Sequence, residues 1–338
     1  MDVKVFARAK RPLALAAALL FNCGAVHAAA HGNEKPESDK GNAMHAVIST
    51  DDTIGDVVRH PAFAGFGRLM FPRSTDAYDG TAMREIGGTM PYHSLVSSPE
   101  IVRALNRMAS DAADGKRIFY SFYTEPQKRT DKSKEETGLF FFRGKTGAPF
   151  AIICPGGGFA YVGSLHEGFP HAMEIAQKGF NAFVLRYRTG SGQKAVEDLA
   201  AALTFIFENS EKLDVGTADY SVWGSSAGAR MAAAIGSYGA EAFGGGSIPK
   251  PAAIVTAYTG LREFTPEDPP TFAVVGERDA IARPSAVKGR ISALRKAGID
   301  AEFREYPGVG HGFGLGTGSA AEGWLDEAVR FWERHSQR

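Results

Sequence analysis

The chain has 338 residues, with 38 basic and 38 acidic side chains, 44% apolar residues and 22% charged ones. That length leaves room for one large α/β domain with an appendage, or for two small domains. Balanced charge, and the lack of a basic block interleaved with aromatics, argue against a nucleic-acid partner.

At the start, Lys4, Arg8, Lys10 and Arg11 precede the apolar run Leu13 to Phe21, which is too short to span a bilayer. Small-residue cleavage sites follow at Ala25-Val26-His27-Ala28 and Ala28-Ala29-Ala30. This order predicts a signal peptide over 1–28, secretion or export to a periplasm, and a mature protein with no membrane span. A lipid anchor on Cys23 ranks second, because Phe21-Asn22 is a poor approach to a lipidated cysteine. Once Cys23 has left with the leader, Cys154 is the lone thiol and no intramolecular disulfide can form. Its place at the end of the apolar run from Phe150 reads as a small core residue, not a nucleophile.

Residues 31–45 read as a polar, Gly-containing lead-in. No clean periodicity runs through 46–98. The segment His60 to Pro72 is apolar but broken by Gly and Pro, so it either covers a pocket or packs as irregular chain on the outside. Helical spacing returns over Pro99 to Ala113, with Ile101, Leu105 and Met108 on one face and Ser98 as the N-cap. Residues 29–115 thus read as an N-terminal extension packed on a catalytic domain over 116–338.

From there the pattern alternates. Ile118 to Tyr123 and Leu139 to Phe142 read as two strands joined by a charged loop. Short apolar strands follow at Phe150–Cys154, Ala182–Leu185, Tyr220–Trp223, Ala252–Ala257 and Phe272–Val275, and an alternating one at Ala301–Tyr306. Helical stretches fall at 168–178, 192–209, 227–237, 284–297 and 321–334. Strands apolar on both faces and interleaved with helices predict an α/β fold, a mainly parallel eight-stranded sheet covered on both sides.

Four features carry chemistry. Gly224-Ser225-Ser226-Ala227-Gly228 matches G-x-S-x-G between a strand and an alanine-rich helix. So sharp a turn leaves no room for side chains two residues either side of Ser226, and it lifts the hydroxyl to a helix N-terminus. The competing reading is a helix-capping serine in a Gly-rich turn. Pro155-Gly156-Gly157-Gly158 follows another strand. Gly157 and Gly158, with Ala227, are the candidate backbone donors to an oxyanion. A phosphate loop is disfavoured, since neither G-x-G-x-x-G with a following acid nor Gly-Lys-Ser/Thr is present. Asp279 and His311 each lie in a loop after a later strand, at the same sheet edge as Ser226. Their chain order, Ser, Asp, His, suits a nucleophile, an orienting acid and a general base. Glu277 and Asp268 are rival acids; Asp268 precedes its strand and Glu277 lies nearer the strand end, so Asp279 leads. No His/Asp/Glu cluster has metal-ligand spacing, so neither a metal nor another cofactor is expected.

With these motifs the chain resembles the α/β-hydrolase superfamily, and within it esterases whose oxyanion loop reads H/P-G-G-G. These include acetylxylan-esterase-like and hormone-sensitive-lipase-like enzymes. The likeness covers residues 116–338, and Asn181 to Arg188 resembles this group's fourth strand and its exit, where the tyrosine and arginines are structural. Pro155 stands where the lipase-like branch has histidine, which favours the carbohydrate-esterase-like branch. The resemblance implies a serine carboxylesterase acting on short acyl esters, with acetyl groups on xylan-type carbohydrate as the leading substrate. Only Tyr258 to Pro270 separates the sixth and seventh strands, so no large lid is expected there. His166 and Glu167, just after the glycine loop, either line the alcohol side of the cleft or are solvated at a helix start, the second being favoured. Two other classes remain open: a prolyl-oligopeptidase-like serine peptidase, and a non-catalytic binding protein on the same fold.

Overall fold

A computed structural model describes residues 46–72 and 77–336. The expected leader over 1–28, the polar stretch 31–45 and Cys23 lie outside the described residues. The eight strands are β1 (Phe119–Tyr120), β2 (Gly138–Phe142), β3 (Pro149–Cys154), β4 (Asn181–Arg186), β5 (Gly216–Ser225), β6 (Ala253–Ala257), β7 (Thr271–Gly276) and β8 (Ala301–Tyr306). They form one sheet in the order β1-β2-β4-β3-β5-β6-β7-β8. β2 runs antiparallel to both its neighbours, and every pair from β4 through β3 to β8 is parallel. All eight strands were anticipated, but β1 is only two residues long, and its connection to β2 carries helical turns over Glu125–Thr130 and Lys132–Glu136.

The strands read as unbroken apolar runs because each face meets helices. The pleat sends Phe140, Phe142, Ala151, Ile153, Ala182 and Val184 into one core, and Leu139, Phe141, Ile152, Cys154, Phe183 and Leu185 into the other. Among the described residues six helices of nine or more residues cover the sheet or flank it: α1 (Ser98–Ala113), α2 (Phe169–Gln177), α3 (Gly192–Glu208), α4 (Ala227–Tyr238), α5 (Pro284–Lys296) and α6 (Trp324–His335). Hydrophobic positions of α3 and α4 join the second core, and those of α1, α2, α5 and α6 the first. Cys154 is fully buried there, and burial pushes its thiol well above the ordinary range, which makes it inert.

One detail of the extension differs from expectation. The cap of α1 is Ser97, whose hydroxyl accepts the Glu100 N–H; Ser98 is already helical and donates its hydroxyl to the Met83 carbonyl. Pro99 tolerates the first turn equally in either register, so sequence spacing does not separate the two serines. The stretch without periodicity is nevertheless core. Ile54, Phe63, Met70, Phe71, Met83, Ile86 and Met90 are each 1% exposed or less. It is built from a one-turn helix (Ile54–Val58) and 3-10 turns, whose short spans give no repeat to detect. The His60–Pro72 segment packs on the sheet's first edge rather than over a pocket: Phe66 stacks on Phe119 at 4.7 Å, and Arg186 donates to the Phe71 carbonyl.

Candidate active site

β5 ends in Ser225, and Ser226 turns the chain into α4 with φ 50° and ψ −111°, a conformation that costs a non-glycine residue energy. The flanking glycines make the turn possible. A Cβ on Gly224 would lie 2.3 Å from the Gly228 carbonyl oxygen, and one on Gly228 only 1.8 Å from that of Cys154. The Ser226 side chain makes no capping bond to its helix, which removes the capping-serine alternative. Its Oγ lies 3.0 Å from His311 Nε2 instead, and His311 Nδ1 lies 2.7 Å from Asp279 Oδ2.

The Asp279 carboxyl is held from both sides. Asp279 Oδ1 accepts the N–H groups of Ile281 and Ala282 at 2.8 and 2.7 Å, which leaves Oδ2 for the imidazole. Glu277 is exposed and accepts the Gly308 N–H, and Asp268 is paired with Arg290 at 3.0 Å. Neither rival reaches His311.

β3 delivers the glycine loop beside the serine. Gly157 has φ +126°, and a Cβ there would strike the Tyr161 carbonyl oxygen at 2.3 Å. Gly156 is so close to Ser226 that its Cβ would sit 3.0 Å from the serine Cβ. Its own N–H is committed, donating to Glu167 Oε2 at 2.6 Å. Gly157 and Gly158 follow directly, and Ala227 opens α4, where the first N–H groups lack partners within the helix. The Tyr187 hydroxyl donates to the Pro155 carbonyl and buttresses the loop from beneath, while Arg188 pairs with buried Asp198.

The favoured reading of His166 and Glu167 is corrected. Both belong to a buried turn preceding α2, at 2% and 0% exposure, and neither is solvated. Nor do their polar atoms turn to a cleft: His166 Nε2 meets the Gly312 carbonyl, and Glu167 engages Gly156, His93 and the Tyr258 hydroxyl. Burial alone would raise the Glu167 carboxyl, but the attraction and hydrogen bond of His93, helped by Tyr258, hold it well below the usual carboxylate range. Sequence reasoning missed His93 and Tyr258 altogether. His93 sits in the aperiodic stretch, and Tyr258 is simply the residue after β6, held at φ 42°. Its ring packs edge-on against that of His311 at 4.9 Å. Among the described residues no group of three or more His, Cys, Asp or Glu could hold a metal ion.

Two buried histidines set the acid behaviour of this region. Burial pushes His166 and His171 down to about 4 each, so both are neutral in the folded protein at pH 5, whereas in the unfolded chain they are mostly protonated. The unfolded state then binds more protons, so stability falls as pH drops from about 6.5 towards 4. The expected loss between pH 7 and pH 5 is about 4 kcal/mol for the two together. Urea unfolding at the two pH values reads it; equal stabilities would show that the histidines are not held neutral.

The fold finds counterparts among known proteins. The chain overlays an α/β-hydrolase from a Medee basin deep-sea metagenome with a TM-score of 0.52 and 22% identity, over 60% of this chain and 93% of that one. The chain has the α/β-hydrolase fold. Similar overlays hold for the acetyl ester-xyloside bifunctional hydrolase of Caldicellulosiruptor lactoaceticus (TM-score 0.51, 21% identity, 59% of this chain and 88% of that one). They hold also for the carboxylesterase Cest-2923 of Lactobacillus plantarum WCFS1 (0.52, 19%, 59% and 92%). A family model described as BD-FAE matches residues 142–259 of this chain, from the end of β2 to just past β6. Endo-1,4-beta-xylanase B of Butyrivibrio fibrisolvens is 35% identical over 86 residues, which is 24% of this chain and only 13% of that protein.

Proposed function

We propose that this α/β-hydrolase is an exported serine carboxylesterase that removes short acyl groups, acetyl foremost, from carbohydrate esters of the xylan type. The observation that carries the reading is the unbroken chain Ser226 Oγ, His311 and Asp279 at 3.0 and 2.7 Å beside the Gly157-Gly158 loop. In this reading His311 Nε2 takes the Ser226 proton as Oγ attacks the ester carbonyl. The tetrahedral oxyanion is held by N–H groups of Gly157, Gly158 and Ala227. His311 then returns the proton to the departing alcohol, leaving an acyl-serine. Water repeats the sequence, with His311 again as base, and frees the acid. Asp279 keeps Nδ1 protonated throughout and stabilises the imidazolium.

The acyl preference is supported by residues 258–270, which carry neither helix nor strand and so no apolar lid of the kind that long chains need. The carbohydrate preference is supported by Pro155 at the head of the loop and by the names of two similar proteins, an acetyl ester-xyloside hydrolase and a xylanase. Export rests on the basic, apolar and small-residue order of residues 1–28. The test compares p-nitrophenyl acetate, a long-chain ester, a prolyl peptide amide and acetylated xylo-oligosaccharides, with EDTA present. The expected result is acetate release and acetyl-ester turnover insensitive to EDTA, with the long-chain ester at least about 10-fold poorer. Preferential amide cleavage would replace this reading with a peptidase.

A further inference from the structure

We propose that Tyr92, His93 and Ser94 of the N-terminal extension are a clasp that positions the loop of His311 against the glycine loop. The proposal rests on the esterase reading and assigns the extension a part in that same site.

The three residues reach both loops at once. On one side, the Tyr92 N–H donates to the Tyr161 hydroxyl at 3.1 Å, and His93 Nδ1 lies 2.9 Å from the same oxygen. His93 Nε2 lies 3.2 Å from Glu167 Oε2, both side chains being 1% exposed. A carboxylate only accepts, so Nε2 carries the proton. That same Oε2 receives the N–H of Gly156, the residue that leads into the two candidate oxyanion donors. On the other side, Ser94 donates twice to the histidine loop, from Oγ to the His311 carbonyl at 2.7 Å and from its backbone N–H to the Gly312 carbonyl at 2.9 Å. The fit is close. A Cβ on Gly312 would fall 2.5 Å from the Tyr92 carbonyl oxygen, and one on Gly163 2.8 Å from His93 Nε2.

His311 needs such a tether. It lies in the glycine-rich run Gly308-Val309-Gly310-His311-Gly312, with Gly308 and Gly312 at positive φ, so its own backbone fixes its position poorly. A buried carboxylate is also a costly way merely to attach a segment, because removing His93 leaves Glu167 short of a donor. An extension that only covered apolar surface would need neither His93 nor the double bond from Ser94. A displacement near 1 Å is enough to cost about 100-fold in rate.

The test uses the full mature chain. Ser94→Ala and His93→Phe are compared with His93→Gln, which keeps a donor, and with Arg68→Ala, which breaks a different contact between extension and domain, the ion pair with Glu136. Active sites are titrated with a fluorophosphonate so that rates refer to folded enzyme. The expected result is a kcat lower by about 10- to 100-fold for Ser94→Ala and His93→Phe, with KM within about 3-fold, partial rescue in His93→Gln, and normal kcat in Arg68→Ala. Lower Tm with unchanged kcat per titrated site in both clasp variants would reduce the segment to a structural brace and overturn the proposal. A wild type that neither takes the label nor cleaves any ester would overturn the esterase reading itself, and the clasp with it.

Discussion

Ser226→Ala is expected to remove ester hydrolysis by a factor of about 10⁶, the scale at which the loss of a triad nucleophile leaves only binding and oxyanion contacts. The fold is expected to survive. Alanine keeps the Cβ, the strained φ of 50° bears on both residues alike, and the N–H bond from residue 226 to the Ala257 carbonyl is untouched. The hydroxyl's contact in the site is with His311 Nε2, so its loss strands no backbone group. Mass spectrometry after fluorophosphonate treatment gives the decisive reading: one adduct on the wild type and none on the variant. An adduct on the variant would move the nucleophile elsewhere.

Asp279→Asn is expected to cost about 10⁴-fold in kcat, with little change in KM. The local geometry gives the reason. Two backbone N–H groups, from Ile281 and Ala282, hold Oδ1, so an asparagine places its carbonyl oxygen there and turns its NH₂ towards His311. Nδ1 must then accept, the imidazole proton moves to Nε2, and the ring can no longer take a proton from Ser226. Measured kcat for p-nitrophenyl acetate checks this. Near-normal turnover would mean that another carboxylate orients the ring, yet Glu277 is tied to Gly308 and Asp268 to Arg290.

These two expectations depend on different layers of the same loops. The first needs only a hydroxyl beside a base, while the second needs the tautomer that Asp279 imposes. The proposed clasp adds a third layer: Ser94 and His93 bear on where the base and the oxyanion donors stand, not on their protonation. Tyr258 joins the layers, since its hydroxyl meets Glu167 at 2.6 Å while its ring lies against His311.

The residues that the sequence picked out and the fold brings together share a property: each is announced by its immediate neighbours. Gly224 and Gly228 mark Ser226 because backbone contact excludes side chains there, and the glycines around residues 156–158 mark a loop that approaches a reacting atom. Asp279 and His311 were legible because a parallel sheet puts every βα-loop on one edge, so strand order alone brings them together. What the sequence concealed depends on contacts between distant segments. Ser98 and Ser97 look alike until Met83 is seen to accept one hydroxyl. Glu167 reads as solvated at a helix start, yet Gly156, His93 and Tyr258 arrive from three other parts of the chain to bury it. The described part of 46–98 has no periodicity because its one-turn helix and 3-10 turns are too short to repeat, so its core and its reach to His311 are set by packing. Local backbone sterics are written in neighbouring residues; the partner of a buried charge is chosen only when the chain has closed on itself.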